Sequence, residues 1–418
     1  MSEATQNVTT VTLSRHGNFL KLWFGQSVSL LGSAVTNIAL PLVAVGLLQA
    51  TVFQMGVLRA LAYIPYIVLG LYVGVWVDRL RRRPLLIVAN TIRALVLLVV
   101  PLSAVAGQLR IEVLYGVALA VGVASLFFEF AYQAYLPSLI PADALVDGNS
   151  KLAQSESVAR IVGPAVGGFL VQLLSAPMAI IIDAASYVVS ALTLVLIRDR
   201  EARAVAETRP AIHREIAEGL SFVFRHPIIR ALAVNSGLSN FCGSMVLAVY
   251  FVYLARELAL PAGLIGIVLS AGGPGGLLAA ATSSRVAGRV GIGPTLLLGQ
   301  LLMVGNVALL AATLVVPAAA VPLLLLSSFA LGLGAQYYNV TLYSMRQAIT
   351  PAPLRGRTVA SVRLLTVGAM PIGALVGGYL GERVGIGPTI EIALAGAVVA
   401  LLPVLLSDVP RLRVVPTP

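Results

Sequence analysis

Charged side chains inside long apolar runs are where this sequence could do chemistry, because a charge withdrawn from water is costly and is kept when it serves a purpose. Glu129 lies within Phe127-Phe128-Glu129-Phe130-Ala131-Tyr132, and Arg160 opens Arg160-Ile161-Val162-Gly163-Pro164. At helical rise, Glu129 stands roughly 9 Å and Arg160 roughly 13 Å from the same end of adjacent runs, so the two are expected to pair. Two readings stay open: a static ion pair, or a carboxylate that takes up and releases a proton. Asp183 and Arg93, each inside its own run, form a second candidate set for proton handling. Arg59, near the end of another run, is expected to snorkel to the surface, and Glu156 is expected to be structural. His16, His213 and His226 fall in or beside polar segments, without nucleophile–base or metal-ligand spacing around them. An enzyme, a metal centre and a bound cofactor are therefore not expected. The sequence also lacks the glycine-rich phosphate loop of an ATP-driven pump.

Proton handling within apolar runs needs a bilayer around them, and the composition supplies the reason to expect one. The 418 residues are 58% hydrophobic and 11% charged, with mean hydropathy +0.95; soluble domains carry about 25% charged residues. A spanning helix needs roughly 20 mostly apolar residues. Twelve such runs occur, at 18–48, 54–77, 84–106, 112–135, 152–175, 177–197, 227–255, 262–283, 294–316, 320–345, 358–381 and 387–407. The fold class expected is an all-α membrane protein of twelve transmembrane helices, with the lipid bilayer as a partner. The net charge of +11 is spread over short loops, so no nucleic-acid partner is expected. The lone Cys242 excludes an internal disulfide. The polar stretch Met1 to Arg15 lacks a secretory cleavage pattern, so the first helix is expected to target the chain and remain.

Basic residues favour cytoplasmic loops. With the N-terminus inside, that side gathers Arg79, Arg81 to Arg83, the arginines of 198–226, Arg285, Arg289 and Arg355, against only Arg110, Arg256 and Arg383 outside. Both termini are thus expected in the cytoplasm, in a cell membrane. The loop 198–226 divides the chain into 1–197 and 227–418, and its Ile212, Ile216, Leu220 and Val223 suit a short amphipathic helix. A shift of 210 places Arg79 on Arg289, Pro84 on Pro294, and Gly167-Gly168 on Gly377-Gly378. Two pseudo-symmetric six-helix bundles follow, the arrangement that sets a substrate site between halves at mid-membrane.

The turn between the second and third runs reads Gly74-Val75-Trp76-Val77-Asp78-Arg79-Leu80-Arg81-Arg82-Arg83. With twelve runs in two halves, it resembles the loop motif of the major facilitator superfamily, carried here by Gly74, Asp78, Arg79, Arg82 and Arg83; Arg81 replaces a glycine. The resemblance implies a gate in which Asp78 faces the start of the eleventh helix, near Arg357 and Thr358, while the arginines enforce topology. Arg160 to Gly168 resembles the antiporter motif of drug–proton exchangers in that superfamily, through Gly163, Pro164, Gly167 and Gly168, with Ala159 in place of its first glycine. Three further stretches (Glu215 to Leu220 with Arg225-His226-Pro227, Leu354 to Arg357, and Gln133 to Leu139) are similar to the macrolide-efflux and enterobactin-exporter-like branch.

Under the 210 shift Glu129 falls on Asn339, which lies among Gln336, Tyr337 and Tyr338. Aromatic surface with scattered hydrogen-bonding groups suits an amphipathic small organic molecule. Asn37, Phe128, Tyr132, Asn235, Asn240, Gln336, Tyr337 and Asn339 are the expected substrate contacts. The function expected is export of amphipathic molecules against protons by a monomer, with Glu129, Arg160, Asp183 and Arg93 handling the proton. A dedicated siderophore or metabolite exporter is the alternative, and a membrane-embedded enzyme a remote one.

Overall fold

A computed structural model describes residues 13, 16–198, 212–351 and 354–414, apart from the side chains of 71, 75, 78 and 212–216. The described chain is helical. The helices are α1 (Gly17–Leu42), α2 (Val52–Val68), α3 (Gly70–Arg79), α4 (Arg82–Val105), α5 (Ile111–Leu139), α6 (Leu145–Leu174), α7 (Ala176–Val195) and α8 (Ile212–Arg225). The second half continues with α9 (Pro227–Val252), α10 (Ala262–Ser270), α11 (Gly272–Val290), α12 (Ile292–Val315), α13 (Ala320–Ile349), α14 (Arg355–Arg383), α15 (Ile386–Val399) and α16 (Leu402–Leu405). Among the described residues, eleven helical stretches are long and apolar enough to cross a membrane, and Val52–Val68 is a shorter apolar helix. The second expected run is therefore two helices, α2 and α3, interrupted at Leu69 just after Pro65 and before Gly70. Pro65 removes a helical N–H and Gly70 weakens the continuation. Leucine and valine face outward along the helices, as at Leu102, Val105 and Val315, which is stable only against lipid.

Backbone features recur 210 residues apart. His16 accepts from Phe19 N–H at 3.2 Å to cap α1, and His226 accepts from Ile229 N–H to cap α9. Both α1 and α9 end in a π-helical turn, Val43–Leu47 and Tyr253–Glu257. Gln49 and Ala259 follow with φ of 52° and 48°, and Ser175 matches Gly385 with φ of 80° and 96°. Such turns are costly for residues with a Cβ, so their repetition at one offset marks a duplicated backbone design rather than local chance.

The end where α1, α9 and α14 begin is called proximal here, and the opposite end distal. At the distal end, Ala44 and Val45 of the first half and Val249 to Leu254 of the second belong to one continuous apolar core. Towards the proximal end the cores are separate, one around Phe19, Leu86 and Tyr135, another around Leu296 and Met345, and a third around Val223 and Ile229. The halves share one core distally and keep separate cores proximally. The distal contact is made by glycines: a Cβ on Gly168 of α6 would lie 2.9 Å from Gly266 Cα of α10, and one on Gly378 of α14 would lie 3.0 Å from Gly56 Cα of α2. These two crossings are again related by the 210 offset. Small residues let membrane helices meet backbone to backbone.

Val223 of α8 is fully buried against the second half, and α8 packs on the start of α14. Gly219 abuts the Arg357 carbonyl and Ser361, and Glu218 pairs with Arg357. The expected amphipathic helix is present. It is clasped to α14 as well as presented to the surface.

Candidate functional site

Where the cores of the two halves are separate, an ion pair among the described residues bridges them. Arg363 of α14 donates to Glu129 Oε1 of α5 at 2.5 Å, and the Tyr66 hydroxyl of α2 donates to Glu129 Oε2 at 3.2 Å. The guanidinium also lies 5.8 Å from the Tyr66 ring and 5.7 Å from the Phe130 ring. Both charged side chains are half-buried, so the carboxylate is held by a cation, a phenol and aromatic faces yet stays within reach of water.

The pair expected between Glu129 and Arg160 is not the one formed. Arg160 bonds within its own helix to Glu156 at 2.6 Å, and both are exposed. Residues 156, 160, 164 and 168 share one helical stripe. Pro164 and Gly168 meet α10 on that stripe, whereas Arg160 lies further towards the proximal end and is exposed. Glu156, expected to be structural, is the partner that Arg160 finds.

Asp183 and Arg93 lie in one buried polar layer of the first half, without a direct ion pair. Arg93 donates to Asn90, which donates to Ser190 at 2.9 Å, and its guanidinium is sandwiched 4.2 Å from both Phe128 and Tyr187. Asp183 accepts from Ser186 at 3.1 Å, and Tyr187 shares a 2.8 Å hydrogen bond with Ser33. Gly32 leaves room for the Asp183 carboxylate. Phe128, expected to touch substrate, is occupied with Arg93 and with Tyr132, whose ring stacks on it at 5.7 Å.

A cavity of about 310 Å³ opens between α1, α2, α4, α5 and α9. Leu40, Leu58, Leu97, Val121, Leu247 and Phe251 give it apolar walls, and Thr36, Asn37, Arg59, Tyr63, Tyr66 and Ser125 supply polar groups. Of the expected substrate contacts, only Asn37 lines this cavity. Asn235 instead donates to the Ala400 carbonyl at 2.5 Å and accepts from Tyr338 at 2.6 Å, fully buried. Asn240 donates to the Thr366 carbonyl at 3.0 Å, and Tyr337 shares a 2.7 Å bond with Thr282. These three side chains tie helices together within the second half. Gln336 and Asn339 are half-buried on α13. Arg59 does not snorkel outward as expected; it lines the cavity. Its position in α2 faces inward because the shorter α2 packs against α5 and α14.

Around the charged turn, Arg83 donates to the Leu194 and Val195 carbonyls at 2.8 and 2.7 Å. It caps α7, satisfying carbonyls that a helix end leaves open, so it does more than enforce topology. Arg79 is exposed and Arg82 half-buried. A Cβ on Gly74 would meet only Phe130, at 3.7 Å, which is ordinary contact and not a close helix crossing. The Asp78 side chain, expected to face the start of α14, lies outside the described residues. The glycines of the stretch expected to form an antiporter motif pack helices: Gly163 and Gly167 seat α6 on Ala34 and Val35 of α1, while Gly168 meets α10. Sequence reasoning missed Arg363, although an arginine inside an apolar run was the available signal.

Residues 9–415 match the family described as transmembrane secretion effector. A multidrug efflux pump, Tap, of Mycolicibacterium fortuitum is 26% identical over 94% of this chain and 97% of its own length. Macrolide efflux protein A of Streptococcus pyogenes is 26% identical over 53% of this chain and 55% of that protein. Among solved structures, a bacterial homologue of the iron transporter ferroportin in an inward-facing state aligns with TM-score 0.74 at 17% identity, covering 93% of this chain and 98% of that one. A nucleoside transporter aligns with TM-score 0.74 at 16% identity, over 93% of this chain and 99% of that one. The helical fold of these solved transporters, the recurring half and the family match converge: the chain is a multi-pass membrane protein that belongs to the transmembrane secretion effector family of major facilitator transporters.

Proposed function

We propose that this transporter exports amphipathic small molecules in exchange for protons, with Glu129 as the coupling carboxylate. The observation that carries the reading is the Arg363–Glu129–Tyr66 set, which joins the halves where they part. The names of the efflux relatives support the direction of transport. In this reading α2 and α3 together make a twelfth span, residues 1–197 and 227–418 are the moving bundles, and 198–226 is their linker. The proximal end, with both termini, faces the cytoplasm of a cell membrane, so the fused distal core closes the outside while the split proximal end admits substrate to a monomer. Protonation of Glu129 releases Arg363 and frees the bundles to rock about their glycine crossings.

The test is fluorescent-drug transport in everted vesicles with an imposed pH gradient. Glu129→Gln is expected to lose gradient-driven transport by on the order of 10²-fold, as the loss of an acid–base group typically costs, while the purified variant still binds drug. A Glu129→Gln protein whose transport keeps the wild-type pH dependence rules out the coupling role.

A further inference from the structure

Arg59 has no anion. Among the described residues it is the only charged side chain lining the cavity, and no carboxylate joins it there. Its guanidinium carbon sits 5.5 Å from the Tyr63 ring centroid, and its Nε is sealed from solvent without an acceptor. Thr36, in the same wall, has its hydroxyl beside the Asp183 carboxylate and leaves Arg59 as the charged donor of the cavity. The contrast with Arg363, which has Glu129, is direct; Arg93, whose Nε is likewise sealed without an acceptor, still donates to Asn90 between two aromatic faces. A cation set in a membrane protein interior is costly and is retained where it serves a ligand or pathway. The guanidinium carries five N–H donors in a planar fork that matches a carboxylate, sulfonate or phosphate. Leu58, Leu97, Val121 and Phe251 around it would take an apolar body.

We propose that the cavity is a site for organic anions, with Arg59 receiving the anionic head and the apolar walls receiving the rest. This rests on the export reading and narrows it: the preferred cargo is an anionic or zwitterionic amphiphile rather than a cation, because Arg59 repels positive charge at the centre of the pocket. A volume of about 310 Å³ is at the small end of ligand pockets, so a larger molecule places its head here and extends past Tyr66 towards the proximal opening.

The experiment uses the full chain in phosphatidylcholine nanodiscs and calorimetric titration with three size-matched probes: 1-naphthylacetate, 1-naphthylacetamide and 1-naphthylmethylammonium. The carboxylate is expected to bind roughly 10- to 100-fold more tightly than the amide, the range of a charge-assisted hydrogen bond, with the ammonium weakest. Arg59→Gln is expected to abolish that preference, and Arg59→Lys to keep part of it. Equal affinity of carboxylate and amide for the wild type, tightest binding of the ammonium, or no saturable carboxylate binding overturns the proposal without recourse to any variant. A preference that survives in folded Arg59→Gln overturns it too. Repeating the titration with phosphatidylglycerol present separates sources: loss of naphthylacetate binding there supports an anion site filled by a lipid head, and retained binding supports a free organic anion. Anion preference without gradient-driven export would refute transport and leave the site standing; export without charge preference would do the reverse.

Discussion

Asn235 was legible in the sequence as a polar group in an apolar run, but its service was not. At zero exposure it holds the Ala400 carbonyl and the Tyr338 hydroxyl. Hydrogen bonds between membrane helices average about 0.6 kcal/mol, so Asn235→Ala is expected to cost about 1 kcal/mol of thermal stability while ligand affinity stays the same. Thermal unfolding and ligand titration of the purified variant check this, and a fall in affinity without a fall in stability would return Asn235 to the binding site. The wider pattern is the same. Glu129, Asp183, Arg93 and Arg59 could all be picked out because a charge within an apolar run is conspicuous. Their partners could not, because pairing depends on how helices are rotated and set against one another, and that register is fixed by contacts distant in sequence. Glu129 and Arg363 are joined across two halves, whereas Arg160 is satisfied one turn away.

At the scale of elements, helix positions were readable from apolar runs and the duplication from one offset, because both are periodic properties of the chain. The break at Leu69 was not, since hydropathy runs on unbroken across Pro65 and Gly70, and the elongation of α6 back to Leu145 was not, since turns beyond the apolar core obey local capping and packing rather than hydropathy. The glycine motif of α6 was legible as small-residue packing, and the structure adds its partner. Gly168 meets Gly266 with no room for a side chain. Gly168→Leu is therefore expected to wedge the distal ends apart while each half remains helical. Electron–electron resonance between spin labels on the distal ends of α6 and α10 should report a longer distance, and an unchanged distance would show that the crossing does not set closure. Overpacking of this kind costs about 1–3 kcal/mol, enough to bias a balance between conformers without unfolding the protein.

For the whole molecule, the proposed reading takes the separate proximal cores and the single distal core as marking the proximal end as the one that opens. None of this was in the sequence, since a transporter's chain encodes both states. The α8 clasp belongs to this scale because it fastens the segment between the halves to α14 and α9 of the second half. Glu218→Gln removes the charge that pairs with Arg357. For a partly exposed pair worth under about 1 kcal/mol, amide exchange across 217–225 should rise by up to about fivefold, measured by hydrogen–deuterium exchange; no rise would mean that Val223 and Gly219 alone hold the helix. Tyr66 carries the broadest consequence. One face of this residue lines the cavity, and its hydroxyl ends on Glu129. Under the proposed coupling role of Glu129 and the proposed use of the cavity, cargo and proton meet at a single phenol, and linkage makes their influence mutual: whatever factor occupancy of the cavity imposes on proton affinity at Glu129, protonation imposes on cargo affinity in return. A molecule that fills the cavity without disturbing Tyr66 would be bound but not pumped, which makes inhibitor and cargo differ by the posture of one side chain.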